Sequence, residues 1–394
     1  MKLPLFSSII IILLLASAAC SNYESNTYKN YATKFDRNLT QYHINMENVA
    51  IPIDSITNHS YPVYHNASIK GISYLAGYYR KTHNIDVFDL NSKSFIKHIN
   101  LEHHGPHGIE DVRGLYIHNW DSIFIHSTFN IYLINSNGQV IKSFNLLDED
   151  LFKGLEKGSL TSTISFGIHY SVTRNSFFLN FIPNSVEFGT KEYYSKPFIA
   201  EYFLDNDSLR LIPIPYSKYF IDNHVGFLSV PAVSIYNNKI YVCFQGESNI
   251  YSYDMENNKI TTYGGQSRYS KNVAKPIDLN ASFDMKLRHR LESPMFFNLI
   301  YDPFREFFYR LHFGDMDSMG SNIRGPFHDK SLYLMVFNKD LELIKELKLE
   351  DHKYIPSFYG ISYEGLFLNA NHDLSNNLSG DFANFKLIKI NITE

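Results

Sequence analysis

The chain has 394 residues, a formal net charge of -4 and two cysteines. The charge is spread out with no long basic run, which argues against a nucleic-acid partner. Two cysteines cannot supply a disulfide framework, and no cofactor motif stands out. Aromatic residues at 15% suit sheets covered on both faces.

The N-terminus reads as a targeting segment. Lys2 precedes an apolar run from Leu5 to Leu15, too short to span a bilayer. Leu15-Ala16-Ser17-Ala18-Ala19-Cys20 resembles a bacterial lipobox, with Ser17 where Leu is usual. That resemblance implies a signal peptide over 1–19 and acylation of Cys20, which would tie the protein to a membrane. Cleavage after Ala18, or an uncleaved signal anchor, are the rival readings. Residues 20–38 are polar, with no apolar period, and are expected to be a flexible tether. Cys243, in Lys239-Ile240-Tyr241-Val242-Cys243-Phe244, is expected to be a buried, inert thiol.

From about residue 60 a two-part pattern recurs. One part is a short apolar strand ending in Tyr, as in Gly167-Ile168-His169-Tyr170, Val233-Ser234-Ile235-Tyr236, Asn298-Leu299-Ile300-Tyr301 and Gly360-Ile361-Ser362-Tyr363, with Gly114-Leu115-Tyr116-Ile117 as a variant. The other is a hairpin whose turn begins at Asp89, Asn135, Asp205, Asp254, Asn338 or, less distinctly, Asn391. A strand-only unit of about 45 residues, repeated six times, predicts an all-β, six-bladed β-propeller. Long spacings mark insertions at 184–194, 266–292 and 312–330. The last blade is one strand short, and segment 42–53 has strand character. It is expected to supply the outer strand of blade 6 and close the ring, so that 39–394 forms one domain.

Phe88-Asp89-Leu90-Asn91-Ser92-Lys93, Gly105-Pro106-His107-Gly108-Ile109 and Tyr116-Ile117-His118-Asn119-Trp120-Asp121-Ser122-Ile123-Phe124 resemble a Bacteroidetes lipoprotein family, catalogued as domain of unknown function 4221. Tyr301-Asp302-Pro303-Phe304-Arg305 and Phe308-Tyr309-Arg310 fit the same resemblance. It implies a lipoprotein of the cell envelope, in the outer membrane, with a propeller body. It implies no activity and hence no catalytic residues.

Three constellations are candidates for chemistry. His103, His104 and His107, followed by Glu110 and Asp111, gather imidazoles and carboxylates between blades 1 and 2. His103 and His107 are weak metal candidates there, because the spacing matches no zinc motif. Arg305, Arg310, His312, Asp315 and Asp317 form the second group. Strand alternation puts Arg310 and His312 on one face with Phe308, and Glu292 is the expected partner of Arg310. Arg113 precedes the innermost strand of blade 2, where such positions look toward the channel mouth. No nucleophile elbow, zincin motif or phosphate loop is present. Two functions stay open. The first is a binding or scaffold lipoprotein for a glycan, a peptide or an envelope protein. The second is a hydrolase or lyase acting on a polyanionic glycan, with His107, Arg113, Arg310 and His312 converging at the channel mouth.

Overall fold

The computed structural model describes residues 28–37, 41–105, 108–316, 329–375 and 380–392. The chain's first strand, β1 (Tyr42–Pro52), belongs to the last blade. Blade 1 then holds β2 (Tyr64–Ile69), β3 (Ile72–Tyr79), β4 (Asn84–Asp89) and β5 (Ser94–Asn100). Blade 2 holds β6 (Gly114–Asn119), β7 (Ser122–His126), β8 (Asn130–Ile134) and β9 (Val140–Asn145). Blade 3 is built from β10 (Gly158–Thr161), β11 (His169–Ser171), β12 (Ser176–Pro183), β13 (Ile199–Phe203) and β14 (Ser208–Leu211). Blade 4 contains β15 (Pro231–Tyr236), β16 (Lys239–Phe244), β17 (Ile250–Asp254) and β18 (Lys259–Tyr263). Blade 5 contains β19 (Met295–Asp302), β20 (Phe307–Phe313), β21 (Leu332–Phe337) and β22 (Leu343–Lys348). Blade 6 contains β23 (Tyr359–Ser362), β24 (Gly365–Asn369) and β25 (Phe382–Ile392), with β1 as its outer strand.

The fold is a six-bladed β-propeller, as the repeats predict. β1 pairs antiparallel with β25 from Tyr42↔Ile392 to Pro52↔Phe382, so the two ends of the chain close the ring. Closure removes the exposed edge that an open ring would leave.

The repeated Asp and Asn have a local cause. Asp89 Oδ1 accepts from the amides of Asn91 (2.8 Å) and Ser92 (3.0 Å). Asp254 does the same for Glu256 and Asn257, and Asn338 for Asp340 and Glu342. Each side chain thus takes up amides that the hairpin leaves free. The repeated strand-end Tyr fills the space between blades. Tyr236 and Tyr301, from neighbouring blades, lie 5.2 Å apart, and Tyr170 packs on Phe124 and Phe177. Both faces of each inner strand are covered in this way, so β20 and β21 are buried at every position.

Residues 28–37 depart from the expected tether. They lie as a strap across the outside of blades 4 and 5. Asn249 Nδ2 donates to the Lys29 carbonyl (2.9 Å), and the Tyr31 amide donates to Asn249 Oδ1 (2.9 Å). Thr33 Oγ1 donates to the Gln266 carbonyl, and the amides of Asp36 and Leu343 donate to the carbonyls of Leu343 and Lys34. A Cβ at Gly264 would collide with the Ala32 carbonyl, so only glycine lets the strap pass there. Polar composition misleads here because the strap is held by hydrogen bonds, many of them through its backbone, rather than by an apolar face.

Candidate functional site

The six innermost strands surround a central channel of about 760 Å³. β2, β6, β11, β15, β19 and β23 line it. The face on which the chain enters these strands is the upper face, and it also carries the turns between second and third strands. Blade 3 is irregular at the upper mouth. There the Thr163 and Phe166 backbones close a tight turn, and Ser165 at its tip accepts from the Val233 amide of blade 4 (2.9 Å). The turn braces blade 4 while presenting Ile164, 66% exposed, at the rim.

Side chains stitch adjacent blades at the channel wall. Asn66 Oδ1 accepts from the Ile361 amide (2.7 Å), joining blades 1 and 6. His65 Nδ1 accepts from the Ile117 amide (3.1 Å), joining blades 1 and 2. That bond leaves Nε2 of His65 as the protonated nitrogen. The His65 ring lies 4.3 Å from Tyr116, which also neighbours His169 at 5.5 Å and Tyr170 at 6.2 Å. Across the channel Asn298 Nδ2 donates to the Tyr359 hydroxyl (2.9 Å), and Tyr359 meets Tyr64 edge-on.

These groups are uncharged near neutral pH. Burial, with His169 nearby, pushes His65 down to about 3. Burial alone pushes His169 down to about 4. Burial, helped by Tyr170, pushes Tyr116 up to about 12. Among the described residues lining the channel, Arg113 alone carries a formal charge. Its Nε donates to Asp111 Oδ2 (2.8 Å) at the mouth, and Thr128 holds the same carboxylate. Arg113 also borders a smaller groove of about 490 Å³ between blades 2 and 3, where Phe129 and Leu147 are exposed.

The other sequence-predicted residues do not join Arg113. Arg310 and His312 lie on β20, a second strand, and are fully buried between blades rather than at the mouth. They do share a face, as alternation predicts. Arg310 is stacked over Phe296 at 4.7 Å. Its guanidinium donates to the carbonyls of Phe297, Ser248 and Glu247. The carboxylate beside it is Glu247, not the expected Glu292. His312 is sandwiched between Phe296 and Tyr333, and its Nε2 donates to Glu346 Oε1 (2.9 Å). Arg305 pairs with Asp302, and Asp315 with Lys271. His103 stacks between His83 and His104. No group of three or more metal-ligating side chains occurs among the described residues. His107, Asp317 and Cys20 lie outside the described residues. Cys243 is fully buried, and burial raises its thiol pKa.

His65, Tyr116, His169, Asn298 and Tyr359 are absent from the sequence candidates. The signal for most of them was the repeat itself. Tyr116, His169 and Asn298 stand inside the quoted motifs, and the recurring inner strand is what builds a channel wall.

The family described as "Domain of unknown function (DUF4221)" matches over residues 38–348. No curated protein matches. Among solved structures, a DUF4221 family member from Bacteroides vulgatus is 21% identical, with a TM-score of 0.75 over 90% of this chain and 99% of that one. A Bacteroides fragilis protein, provisionally assigned as exported, is 10% identical, with a TM-score of 0.52 over 89% of this chain and 96% of that one. At these identities the likeness concerns the fold.

Proposed function

The chain belongs to the DUF4221 family, and from that premise we propose that it is an exported lipoprotein, anchored through Cys20, whose propeller binds a neutral glycan in its channel without transforming it. The observation that carries the reading is the channel wall. Aromatic rings, neutral imidazoles, hydroxyls and side-chain amides line it, and one paired arginine stands at its mouth. Sugar rings stack on aromatic faces, and their hydroxyls exchange hydrogen bonds with uncharged donors and acceptors. A polyanionic glycan would need several unpaired cations. Arg310 and His312 cannot serve it where they are, so the hydrolase or lyase reading loses two of its four residues. The lipobox, and the export assigned provisionally to the Bacteroides fragilis neighbour, support placement outside the cytoplasm.

Two measurements test this reading. Titration calorimetry with neutral and uronic oligosaccharides should show binding of the neutral set, weakened at least about tenfold by Tyr116→Ala, a loss near 1.4 kcal/mol. Preference for the acidic set, abolished by Arg113→Ala, would sink it. Fractionation of cells carrying Cys20→Ala should find the protein in the soluble envelope fraction, and unchanged membrane association would remove the anchor.

A further inference from the structure

Two insertions on the upper face are not accounted for by the channel. Residues 184–194 join β12 to β13 and include the short helix α1 (Lys191–Tyr194). Residues 266–292 lead into β19 and include α3 (Phe283–Glu292), which Ser282 caps through the Met285 amide. They meet at Gly189, where an added Cβ would run into His224 and Leu279. Between them stands the segment that leads into β15, with the short helix α2 (Lys218–Asp222) and a 3-10 turn at Gly226–Ser229. Phe227 on that turn packs 5.5 Å from Phe283. The surface so formed carries Phe188, Leu279, Phe283 and Met285 at 47, 38, 68 and 56% exposure. Folding supplies no reason to hold four large apolar side chains in water on two insertions.

The strap fixes where this surface lies relative to the chain's start. Tyr28 packs against Tyr219 of α2, with ring centres 4.8 Å apart, and Tyr219 donates its hydroxyl proton to the Ala274 carbonyl of the second insertion. The described chain therefore begins beside the apolar surface. Seven residues separate Tyr28 from Cys20, eight Cα-to-Cα steps with a reach of at most about 28 Å. An acyl group at Cys20 would hold this side of the ring near the bilayer.

We infer that the upper-face surface built from Phe188, Leu279, Phe283 and Met285 docks on the lipid bilayer, so that the propeller lies against its membrane with blades 3 to 5 in contact. The inference rests on the lipid anchor of the proposed function. Charges around the patch are mixed, with Lys275, Lys286 and Arg288 beside Asp278 and Asp284. The contact is accordingly apolar insertion rather than attraction to anionic headgroups, and it should vary little with salt.

A thiol-reactive, environment-sensitive dye reports the contact in the full acylated chain. Cys243 is buried and Cys20 carries the lipid, so dye attaches only to an introduced cysteine. In phosphatidylcholine vesicles, dye on Phe283→Cys should shift to the blue and be quenched about twofold or more by acyl-chain bromine, as an interfacial depth requires. Dye on Phe304→Cys, 44% exposed in the β19–β20 turn of the lower face, should stay in water. Equal signals at the two positions, or a water-like signal at Phe283→Cys on vesicle-bound protein, would refute docking while leaving the anchor intact. Absence of acyl mass on Cys20 would sink the anchor and the docking with it. Shielding at Phe283→Cys in native envelopes but not in pure lipid would assign the surface to a protein partner and overturn the bilayer.

Discussion

Four tyrosines each hold the residue five positions ahead. Tyr170 donates to Asn175 (2.8 Å), Tyr202 to Asp207 (2.6 Å) and Tyr253 to Asn258 (2.6 Å), and Tyr78 meets His83 Nδ1 at 2.7 Å. All four partners have a positive φ, between 45° and 55°. The bond fixes a strained turn residue whose backbone most side chains avoid. Tyr253→Phe should therefore cost about 1 kcal/mol, read from the urea midpoint. A shift no larger than that of an exposed Tyr363→Phe control would show that the bond is idle. This spacing is readable in the sequence, because donor and turn are local. The environment of Arg310 is not, because Ser248 is 62 positions away and only blade stacking brings the two together. Burial and three carbonyl acceptors make Arg310 a clamp between blades 4 and 5. Arg310→Met should cost about 3–5 kcal/mol, since it leaves buried carbonyls unpaired where a charge had been compensated. A loss under about 1 kcal/mol would mean that water takes the place of the guanidinium.

At the scale of elements, the N-terminal region contributes a latch and a strap. The latch was legible because β1 alternates like a strand and blade 6 lacked one. The strap was not, because its grip is a set of hydrogen bonds, largely from its backbone, and a glycine on the opposite surface. Two truncations separate them. A chain starting at residue 39 lacks the strap and everything before it but keeps β1, and one starting at residue 56 also loses β1. The second should melt at least about 5 °C below the first, since an eleven-residue pairing and a covered edge are worth about 4 kcal/mol or more. Equal melting would show that β25 needs no partner. Gly264→Ala should detach the strap without touching the ring, visible as faster amide exchange confined to residues 28–37. Exchange that stays slow there would mean that the strap shifts to accommodate the methyl group. The inner strands show the same division. Their existence and order were legible from the repeat, whereas the channel wall they form depends on ring closure, which no local pattern encodes.

At the scale of the whole molecule, buried charge sets the dependence on pH. Glu247 is fully buried beneath the strap, where it faces Tyr28, Ser217, Tyr251, Asn249 and Arg310. Burial outweighs the bonds it accepts and pushes it from 4.5 up to about 7. Its folded pKa is raised, so its contribution is complete below the unfolded value and is lost as pH rises through about 7. Other carboxylates act in the opposite direction. Asp54, held by Thr57 and His98, is pushed down to about 2, and Glu156 is lowered by its bond to Lys196. Their contributions are present above the unfolded carboxylate range and are lost in acid. Burial also holds His65, His169 and His126 neutral, at about 3, 4 and 4, so the folded state loses further stability as pH falls below the ordinary imidazole range. Glu247→Gln removes only the upper limb. Measured against the wild type at each pH, the variant should keep the acid limb and gain progressively between about pH 5 and 7, reaching up to about 3 kcal/mol at pH 8. Parallel melting curves across that window would show that Glu247 ionises freely, and with it that the interior beneath the strap is open to water.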